Sequence, residues 1–489
     1  MARAIMIQGT GSSVGKSLLV AGLCRAFASK GLAVRPFKPQ NMSNNAAAAT
    51  DEGEIGRAQA LQALACRVDP VTDMNPVLLK PESEQRAQII LNGRRLHSVR
   101  AREYREFRRR LLPPVLASLR RLAAEADLVI VEGAGSPAEI NLRRNDIANM
   151  GFALASGIPV ILVGDIDRGG VIAQIAGTKL VLDGCDAAAV KGFVVNKFRG
   201  DKTLFDDGYK QIESLTGWRG IGIVPWFEEA ESLPSEDALE IKSGGDGPFK
   251  VVCPVLPRIA NFDDLDPLRL EPGISLKMLR AGTPIPGDAG LIVLPGSKST
   301  RSDLAFLKTQ GWDIDIRAHA RRGGYVLGVC GGYQMLGREI SDPEGIEGAP
   351  GTDSGLALLN AETVMAPEKK VGRVRAKWAE TSAPIAAYEI HIGRTTGPDC
   401  NRPFAFVETP GGDRLDGAIS VDGRVAGTYL HGLFESDKFR RQFLSKIGTK
   451  ESDLDFSARI DSVLDALAAH VANHVDMEGL LKISRKVGI

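Results

Sequence analysis

Short apolar runs alternate with helix-like stretches along the first half of the chain. The runs predict strands at residues 5–8, 33–37, 128–132, 160–164 and 192–196. Strands that alternate with helices are typical of a mostly parallel sheet with helices on both faces. Polar side chains directly follow several of these strands, and such sheets bind ligands at the carboxyl ends of their strands. The pattern therefore predicts a binding site along that edge of the sheet.

The pattern breaks and then resumes in the second half. Residues 229–248 are acidic and then glycine-rich without a sustained apolar run, which indicates a linker between domains. A second strand–helix alternation occupies 249–438, and helical periodicity continues through a C-terminal tail at 439–489. We predict an α/β protein with two doubly wound, mostly parallel sheet domains, the first at 1–228, and a helical C-terminal tail.

The composition argues against several classes of protein. The 489 residues are 44% hydrophobic and 25% charged, which is ordinary for a globular protein of two or three domains. A net charge of +1 gives no argument for nucleic acid or an anionic membrane as a partner. The six cysteines are scattered without a Cys-x-x-Cys pair, so neither a disulfide framework nor a zinc site is indicated. No apolar run reaches the ~18 residues of a membrane span, and we expect a cytoplasmic protein that binds neither nucleic acid nor membrane.

A glycine-rich loop lies between the first predicted strand and an apolar helix-like run. Residues 9–17 read GTGSSVGKS. In a strand–loop–helix context, backbone N–H groups cradle phosphates, a lysine reaches the β- and γ-phosphates, and a serine hydroxyl binds Mg²⁺. The strict pattern has glycine where Thr10 stands, so the loop is a variant, and the alternative is a plain glycine turn before a helix. The predicted nucleotide contacts in the loop are Gly11, Gly15, Lys16 and Ser17.

A second chemical centre follows an apolar strand in the second half. Residues 325–336 run from that strand into Gly-x-Cys330-x-Gly and then into a helix. This is the form of a nucleophile elbow with cysteine in place of serine, and the start of the helix favours the reactive thiolate. N–H groups at Gly331, and at Gly296 in the turn that ends residues 290–296, are suited to a tetrahedral oxyanion. The alternative is a buried structural thiol, which leaves the elbow unexplained.

A cysteine nucleophile needs a base, and one histidine follows an apolar strand in the same half of the chain as Cys330. His431 ends the run Gly-Thr-Tyr-Leu-His at 427–431. Taken alone it would be interpreted as a core histidine, but together with Cys330 it becomes the candidate proton carrier. The histidines interpreted as structural are His319, His391, His470 and His474.

Both halves resemble known domains. The loop at 9–17 is similar to that of dethiobiotin-synthetase-like ATPases, and 249–438 resembles a class I glutamine amidotransferase domain with Gly-Val-Cys-Gly-Gly as its elbow. In the better-known members of that class, glutamate stands two residues after the histidine, where this chain has Leu433. In this departure the chain resembles the subgroup that acts on cobyrinic acid, in which the third member of the triad is missing or replaced. We assign no role to Glu435.

From end to end, the chain resembles the cobyric acid synthase family. Besides the loop and the elbow, the segments that carry the resemblance lie at 36–45, 74–81, 131–137, 165–170 and 388–395. The resemblance implies a glutamine-hydrolysing carbon–nitrogen ligase that uses ATP and Mg²⁺. Its substrates are then L-glutamine and adenosylcobyrinic acid a,c-diamide, whose b, d, e and g carboxylates become amides to give adenosylcobyric acid in cobalamin biosynthesis. Whether the protein forms a homo-oligomer stays an open question.

The resemblance also implies roles for residues outside the loop and the elbow. Glu132, which follows four apolar residues, becomes a magnesium contact together with Ser17; the alternative is a surface glutamate. Asn196 is expected to contact adenine. A loop rich in amide side chains suits the carboxylates and amides of a corrinoid, and it is expected on the ATP face of the first domain. The predicted substrate contacts are Gln40, Asn41, Asn44 and Asp146.

Two other functions stay open at this point. The first is a cobyrinic acid a,c-diamide synthase, which shares both halves in kind; the amide-rich stretch at 40–45 favours the cobyric acid synthase family. The second is a partition-type ATPase, which would need a lysine early in its loop, where this chain has Gly11 and Ser12. A partition-type ATPase would also leave Cys330 without a role, so a glutaminase assay separates it from the ligases.

Overall fold

The computed structural model describes residues 2–82, 85–234, 243–450 and 452–488. Within these ranges the chain forms two α/β halves, each built around a sheet whose central strands are parallel. The linker predicted at 229–248 lies in part outside the described residues, which stop at 234 and resume at 243. The α/β fold class predicted from the hydrophobic pattern is confirmed.

The strands of the first half include every strand predicted from its apolar runs. In chain order they are β1 (Arg3–Gly9), β2 (Val34–Phe37), β3 (Gln40–Met42), β4 (Ala46–Ala48), β5 (Glu54–Gly56), β6 (Val77–Pro81), β7 (Arg86–Leu91), β8 (Arg94–Arg100), β9 (Leu128–Glu132), β10 (Val160–Asp165), β11 (Val190–Phe198) and β12 (Arg219–Pro225). The central sheet has the order β12–β11–β10–β1–β9–β2 with all these neighbours parallel. The carboxyl ends of β1, β9 and β10 therefore meet at one edge, where the loop at 9–17 begins.

Helices cover both faces of this sheet because its strands are apolar on both sides. In β1, Ala4 and Met6 join one hydrophobic core, while Ile5 and Ile7 join the core on the opposite face. The helices of the first half are α1 (Lys16–Ser29), α2 (Arg57–Ala65), α3 (Ala101–Ala124), α4 (Met150–Ser156), α5 (Val171–Val181), α6 (Gly184–Ala189) and α7 (Asp206–Thr216).

An insertion between β2 and α3 brings two small sheets into contact with the second half. One sheet has the order β3–β6–β7–β8, and the other pairs β4 with β5. Ala46 and Ala48 of β4 share a small apolar cluster with Tyr388 and Ile390 of the second half. The insertion begins at the carboxyl edge of the central sheet, so it connects the loop at 9–17 to the interface between the halves.

Within the described residues, the second half contains two large sheets of different character and one small two-stranded antiparallel sheet. Its strands, with one more at the end of the chain, are β13 (Phe249–Pro254), β14 (Ile259–Ala260), β15 (Ile274–Leu279), β16 (Leu291–Leu294), β17 (Gly296–Ser297), β18 (Tyr325–Val329), β19 (Glu339–Asp342), β20 (Gly351–Ser354), β21 (Glu362–Trp378), β22 (Pro384–Thr396), β23 (Ala405–Val407), β24 (Arg414–Asp416), β25 (Ala418–Ile419), β26 (Val425–Thr428), β27 (Leu430–His431) and β28 (Arg485–Lys486). The first sheet, β15–β13–β16–β18–β26–β25, is parallel except at β25. The second sheet has the order β20–β19–β21–β22–β27.

The second of these sheets is a feature that the hydrophobic pattern did not predict. It centres on the long antiparallel hairpin of β21 and β22. Along β21, Arg373, Arg375 and Lys377 are exposed, while Ala376 and Trp378 are buried. An antiparallel sheet with one face in water alternates between polar and apolar residues, so it lacks the continuous apolar run of a buried parallel strand.

The helices of the second half and the tail are distributed over both halves of the molecule. They are α8 (Asp266–Leu270), α9 (Thr300–Thr309), α10 (Trp312–Arg321), α11 (Gly331–Leu336), α12 (Asp437–Lys446), α13 (Phe456–Ala472) and α14 (Met477–Ile483). No helix within the described residues is apolar over a length that could cross a membrane.

The C-terminal tail packs into the hydrophobic cores of both halves. Phe439 and Phe443 of α12 pack in the core of the second half, whereas Leu464 of α13 packs in a core of the first half. Helix α13 lies against α1 so closely that a Cβ on Gly22 would stand 2.6 Å from Cγ2 of Val471. After α14, the short β28 adds antiparallel to β1. The end of the chain is therefore packed against its beginning.

We expect Leu464→Ala to destabilise the first half, although the residue lies in the C-terminal tail. Leu464 is 0% exposed, and removal of a buried leucine side chain costs about 2–5 kcal/mol. Urea denaturation followed by circular dichroism should report a loss of that size. Ser462→Ala, at an exposed position of the same helix, should change the free energy of unfolding by less than about 0.5 kcal/mol. Equal small effects of the two substitutions would contradict this packing.

Candidate active site

The loop at 9–17 closes around a lysine at the carboxyl edge of the central sheet. Helix α1 begins at Lys16, directly after Gly15, whose φ is +89°. A Cβ on Gly15 would lie 2.4 Å from Nδ2 of Asn196, so this position requires glycine. The ammonium group of Lys16 donates hydrogen bonds to the carbonyl oxygens of Gly11 at 2.9 Å and Gly135 at 3.2 Å. The loop therefore surrounds the lysine at the start of α1, as a phosphate-binding loop does.

The carboxylate of Glu132 forms the polar centre beside this loop. It is 0% exposed at the end of β9, and Ser17 Oγ donates to its Oε1 at 2.7 Å. Lys38 Nζ lies 2.8 Å from the same oxygen, and Gln62 Nε2 donates to the other oxygen at 2.6 Å. A serine hydroxyl and a carboxylate are the hard oxygen donors that Mg²⁺ takes, so Ser17 and Glu132 fit a magnesium ion. The prediction from sequence did not include Gln62, because it lies inside α2 without a recognisable motif.

A cavity of about 660 Å³ opens over the loop and is lined by both halves of the chain. We call it the loop cavity. The lining contributed by the first half includes Lys16, Ser17 and Glu132. It also includes Gln40, Asn41 and Met42 of β3. The second half contributes Phe262, Leu265, Asp266, Arg269, Leu276 and Met278. The lining therefore combines phosphate-binding groups, amide side chains and an apolar surface.

Asn196 and Asp146 make mainly backbone contacts in this structure. The Asn196 amide donates to the carbonyl oxygen of Val14 at 2.9 Å and so stabilises the loop at 9–17. Asp146 accepts from the backbone N–H groups of Ala148 and Gly151, both at 2.8 Å, and fixes the start of α4. Asp146 also lines a smaller cavity together with Gln40. A contact of Asn196 with adenine and a contact of Asp146 with substrate stay predictions.

Cys330 stands in a strained turn between β18 and α11. Its φ of +52° is unusual for a residue with a side chain, and such strain is found at active sites. The neighbouring glycines are required by crowding: a Cβ on Gly332 would lie 2.1 Å from the carbonyl oxygen of Leu294. The thiol sulfur lies 3.5 Å from the carbonyl oxygen of Ile390. This is the geometry of a nucleophile elbow, which presents Cys330 at the carboxyl end of the parallel sheet.

The turn at 295–297 lies against the elbow. A Cβ on Gly331 would stand 2.9 Å from the backbone nitrogen of Ser297. A Cβ on Gly296 would stand 3.1 Å from Cε1 of His431. The structure thus brings Gly296, Gly331 and His431 close together at the elbow that carries Cys330. The role of the N–H groups at Gly296 and Gly331 as oxyanion donors stays a prediction.

His431 is held by a carboxylate that sequence reasoning did not identify. Its Nδ1 lies 2.7 Å from Oδ2 of Asp264, while Oδ1 of Asp264 accepts from the backbone N–H of Gly432 at 2.7 Å. Burial alone would lower the pKa of His431, but Asp264 and the adjacent Cys330 thiol raise it to about 10. The imidazole therefore carries its proton at neutral pH and is paired with both groups.

Asp264 contacts the histidine from a distant part of the sequence. It precedes His431 by 167 residues, in a 3₁₀ turn at Phe262–Leu265. Leu433 is buried, and Glu435 turns away to Arg57 of the first half, at 2.8 Å. The adjacent acidic pair Asp263–Asp264 is the signal present in the sequence, but nothing in the sequence connects it to the histidine.

Contacts between the two halves surround this Cys–His–Asp triad. Arg57, at the start of α2, pairs with Asp263 at 2.9 Å and with Glu435 at 2.8 Å. On the other side, Asn261 Nδ2 donates to the carbonyl oxygen of Ala46 and to the hydroxyl of Tyr388, both at 2.9 Å. The Tyr388 ring stacks on His431 with centroids 5.2 Å apart. The residues that hold the triad are thus anchored to the first half.

A second cavity lies over the thiol and again has walls from both halves. We call it the thiol cavity. Cys330, His431, Gly296 and Gln334 form its floor, and the first half contributes Asn44, Lys80, Gln88 and Arg95. Asn44 therefore lines this cavity, whereas Gln40 and Asn41 line the loop cavity. The stretch 40–46 runs from one cavity to the other.

Family models and curated relatives both match the chain. Residues 5–240 match the CobQ/CobB/MinD/ParA nucleotide binding domain, and 250–439 match the CobB/CobQ-like glutamine amidotransferase domain. Cobyric acid synthase of Cereibacter sphaeroides is 62% identical over 99% of this chain and 100% of that protein. The chain belongs to the cobyric acid synthase family. The cobyric acid synthases of Bradyrhizobium diazoefficiens and Rhizorhabdus wittichii are 61% and 57% identical, also over 99% of this chain and 100% of each protein.

Membership in the cobyric acid synthase family explains why the chain holds two chemical centres. The matched nucleotide-binding domain contains the loop at 9–17 and Glu132, and the matched amidotransferase domain contains Cys330, His431 and Asp264. A partition-type ATPase would have no use for the second domain, so that alternative does not account for the chain.

We expect Asp264→Asn to impair glutamine hydrolysis and to move its pH profile. The carboxylate raises the pKa of His431, so its removal lowers that pKa, and the basic limb of activity should move to lower pH. Loss of positioned proton transfer should reduce kcat by at least about 100-fold. The measurement is glutamate release as a function of pH.

Glu435→Gln is the matched control for Asp264→Asn. It neutralises a nearby carboxylate that pairs with Arg57 and not with His431. We expect this variant to keep the position of the basic limb. A shift of that limb in Glu435→Gln together with an unmoved limb in Asp264→Asn would contradict the assignment of Asp264.

Proposed function

We propose that this member of the cobyric acid synthase family amidates the b, d, e and g carboxylates of adenosylcobyrinic acid a,c-diamide, to give adenosylcobyric acid in cobalamin biosynthesis. One ATP and one glutamine are consumed for each amide. The observation that carries the proposal is the presence, in one chain, of a phosphate loop and a Cys–His–Asp triad on two cavities that are each lined by both halves. The enzyme is a glutamine-hydrolysing carbon–nitrogen ligase.

A carboxylate must be activated before ammonia can replace its oxygen, because hydroxide is a poor leaving group. In the loop cavity, a carboxylate oxygen of the corrinoid attacks the γ-phosphorus of ATP, the bond to the β–γ bridging oxygen breaks, and ADP leaves. The product is an acyl phosphate. Ammonia then attacks the acyl carbon and displaces inorganic phosphate. The protein contributes positioning and charge neutralisation to the phosphoryl transfer.

The residues around the loop suit that task. Backbone N–H groups of Gly11 and Gly15 face the phosphates, and Lys16 turns from its two carbonyl partners to the β- and γ-phosphates. Ser17 and Glu132 would hold a magnesium ion, which neutralises phosphate charge when it is bound. Asn196 contributes by supporting the loop beneath Val14.

The corrinoid is assigned to the open part of the loop cavity. Gln40 and Asn41 offer amide groups next to the loop, and the 55% exposed side chain of Met42 offers an apolar contact. Phe262 and Leu265 supply a facing apolar wall. Amide side chains both donate and accept hydrogen bonds, so they suit a substrate whose edge carries carboxylates before reaction and amides after it.

Ammonia is produced in the thiol cavity. The Cys330 sulfur attacks the carboxamide carbon of glutamine, and N–H groups at Gly296 and Gly331 face the resulting oxyanion. The protonated His431 gives its proton to the leaving nitrogen, so the C–N bond breaks and ammonia departs. Water, deprotonated by the same imidazole, then attacks the thioester and releases glutamate and the thiol.

We expect Cys330→Ala to separate the two chemistries. The substitution removes the nucleophile for glutamine but touches nothing in the phosphate loop. Glutamine-dependent amidation should vanish, whereas amidation from high ammonium at alkaline pH should persist, because neutral ammonia can still attack the acyl phosphate. Mass spectrometry of the a,c-diamide incubated with ATP and either nitrogen source measures this, and the wild type should show four successive carboxylate-to-amide conversions.

The same assay tests the nearest alternative function. A cobyrinic acid a,c-diamide synthase would amidate cobyrinic acid at two positions and leave the a,c-diamide unchanged. Retention of full glutamine use by Cys330→Ala would show instead that the elbow is structural.

We expect Lys16→Ala to abolish amidation from glutamine and from ammonium alike. Phosphoryl transfer precedes both, and the lysine neutralises charge that develops in that step. Formation of corrinoid product from each nitrogen source measures the effect, and glutamate release reports separately on the triad. Normal product formation by this variant would remove the loop from the mechanism.

A further inference from the structure

The thiol cavity contains polar atoms that have no partner within the described parts of the chain. Asn44 Oδ1 and Gln88 Oε1 are buried acceptors without a hydrogen-bond donor, and Nδ1 of His391 also lacks a partner, while its Nε2 lies 3.5 Å from Oε1 of Glu389. These three residues line the same cavity as Cys330. A polar atom that is buried and unpaired costs free energy. Because several such atoms lie at one cavity, we infer that the cavity binds a polar ligand.

Two of the three unpartnered residues belong to the first half. Gln88 lies on β7 and is 3% exposed, and its Nε2 donates to Glu82 at 3.4 Å, which leaves Oε1 directed elsewhere. Asn44 lies just beyond β3, on the stretch that connects the two cavities. Both unpartnered atoms are carbonyl oxygens, which accept hydrogen bonds and so call for a donor on the ligand.

The charged residues of the thiol cavity suit a zwitterion. Lys298 is largely buried, with its ammonium 3.7 Å from Glu82, and Lys80 pairs with the buried Glu54 at 2.5 Å. Glu347, on the second half, is the carboxylate of the cavity lining, and its Oε2 accepts from the N–H of Thr300 at 2.7 Å. Cationic side chains attract a carboxylate, and acceptor oxygens attract an ammonium group.

We propose that Asn44 and Gln88 of the first half bind the α-ammonium group of glutamine, so that the glutamine site is composite and exists only where the two halves meet. This inference rests on the proposed glutaminase role of Cys330. The carboxamide end of glutamine reaches the thiol, and its α-carboxylate lies toward Lys298. Asn44 is then a glutamine contact, which differs from the corrinoid contact predicted from sequence.

The test compares glutamine with glutaramic acid, which is glutamine without the α-amino group. Gln88→Met and Asn44→Leu keep the approximate volume but remove the acceptor oxygen. We expect each variant to raise KM for glutamine by about 10- to 100-fold, the effect of one hydrogen bond to a charged group. Each should also lose a comparable factor of the wild-type preference for glutamine over glutaramic acid, while kcat with ammonium and KM for the corrinoid stay unchanged.

Controls exclude a general loss of structure. Gln310→Met removes an amide that accepts from the backbone N–H of Gly282, away from both cavities, and should leave KM for glutamine and the preference unchanged. Amidation from ammonium reports on the fold of each variant in the same preparation. Because Cys330 is intact in all of them, a failure of the glutaminase proposal itself would appear in Cys330→Ala and not here.

Two results would overturn the proposal. In the first, the variants keep the wild-type preference for glutamine over glutaramic acid, which would mean that the amides of Asn44 and Gln88 do not bind the α-amino group. In the second, Asn44→Leu raises KM for the corrinoid while KM for glutamine is unchanged, which would return Asn44 to the corrinoid.

Discussion

A largely buried guanidinium joins the two halves of this molecule at the place where glutamine is processed. Arg57 of the first half is paired with Asp263 and Glu435 of the second. Burial by itself would lower the pKa of Arg57, but these two carboxylates raise it. Removal of Arg57 would leave the buried carboxylate of Asp263, whose side chain is 1% exposed, without its partner, at a cost of about 3–5 kcal/mol. Because Asp263 adjoins Asp264, the same contact that aligns the halves also holds the carboxylate that orients His431.

The chemistry explains why the two centres share one interface. An acyl phosphate is short-lived in water, and ammonia is protonated or lost if it escapes into solvent, so each intermediate is useful only near the other. The stretch 40–46 connects the cavities: Gln40 and Asn41 line the loop cavity, Asn44 lines the thiol cavity, and Ala46 accepts a hydrogen bond from Asn261 beside the triad.

Strain and crowding are concentrated at the two functional turns. Cys330 adopts a φ of +52°, and Gly15 a φ of +89°. In each turn a neighbouring backbone or side chain leaves no room for a Cβ: Asn196 blocks it at Gly15 and Leu294 at Gly332. The surrounding sheets are apolar and closely packed, which is what allows the strained turns to persist. The scaffold is therefore rigid at the points from which the reactive side chains project.

The sequence by itself determined the local features. Continuous apolar runs predicted the parallel strands, and the spacing of glycines predicted the loop and the elbow with Lys16 and Cys330 in place. These features are encoded within a few residues, because a buried strand or a tight turn depends on its own neighbours. The antiparallel hairpin of β21 and β22 was not predicted, because one of its faces is exposed to solvent. Its alternation of polar and apolar residues therefore resembles that of a solvent-exposed segment.

Only the tertiary structure decided what meets across long distances in sequence. Asp264 reaches His431 from 167 residues upstream, α13 of the tail packs on α1, and Asn44 lines the thiol cavity beside residues of the other half. No periodicity or motif encodes these contacts, since they depend on how two complete sheets pack together. The candidate reacting groups could therefore be named from the sequence, whereas the residues that contact them and line their cavities were set by the packing of the halves.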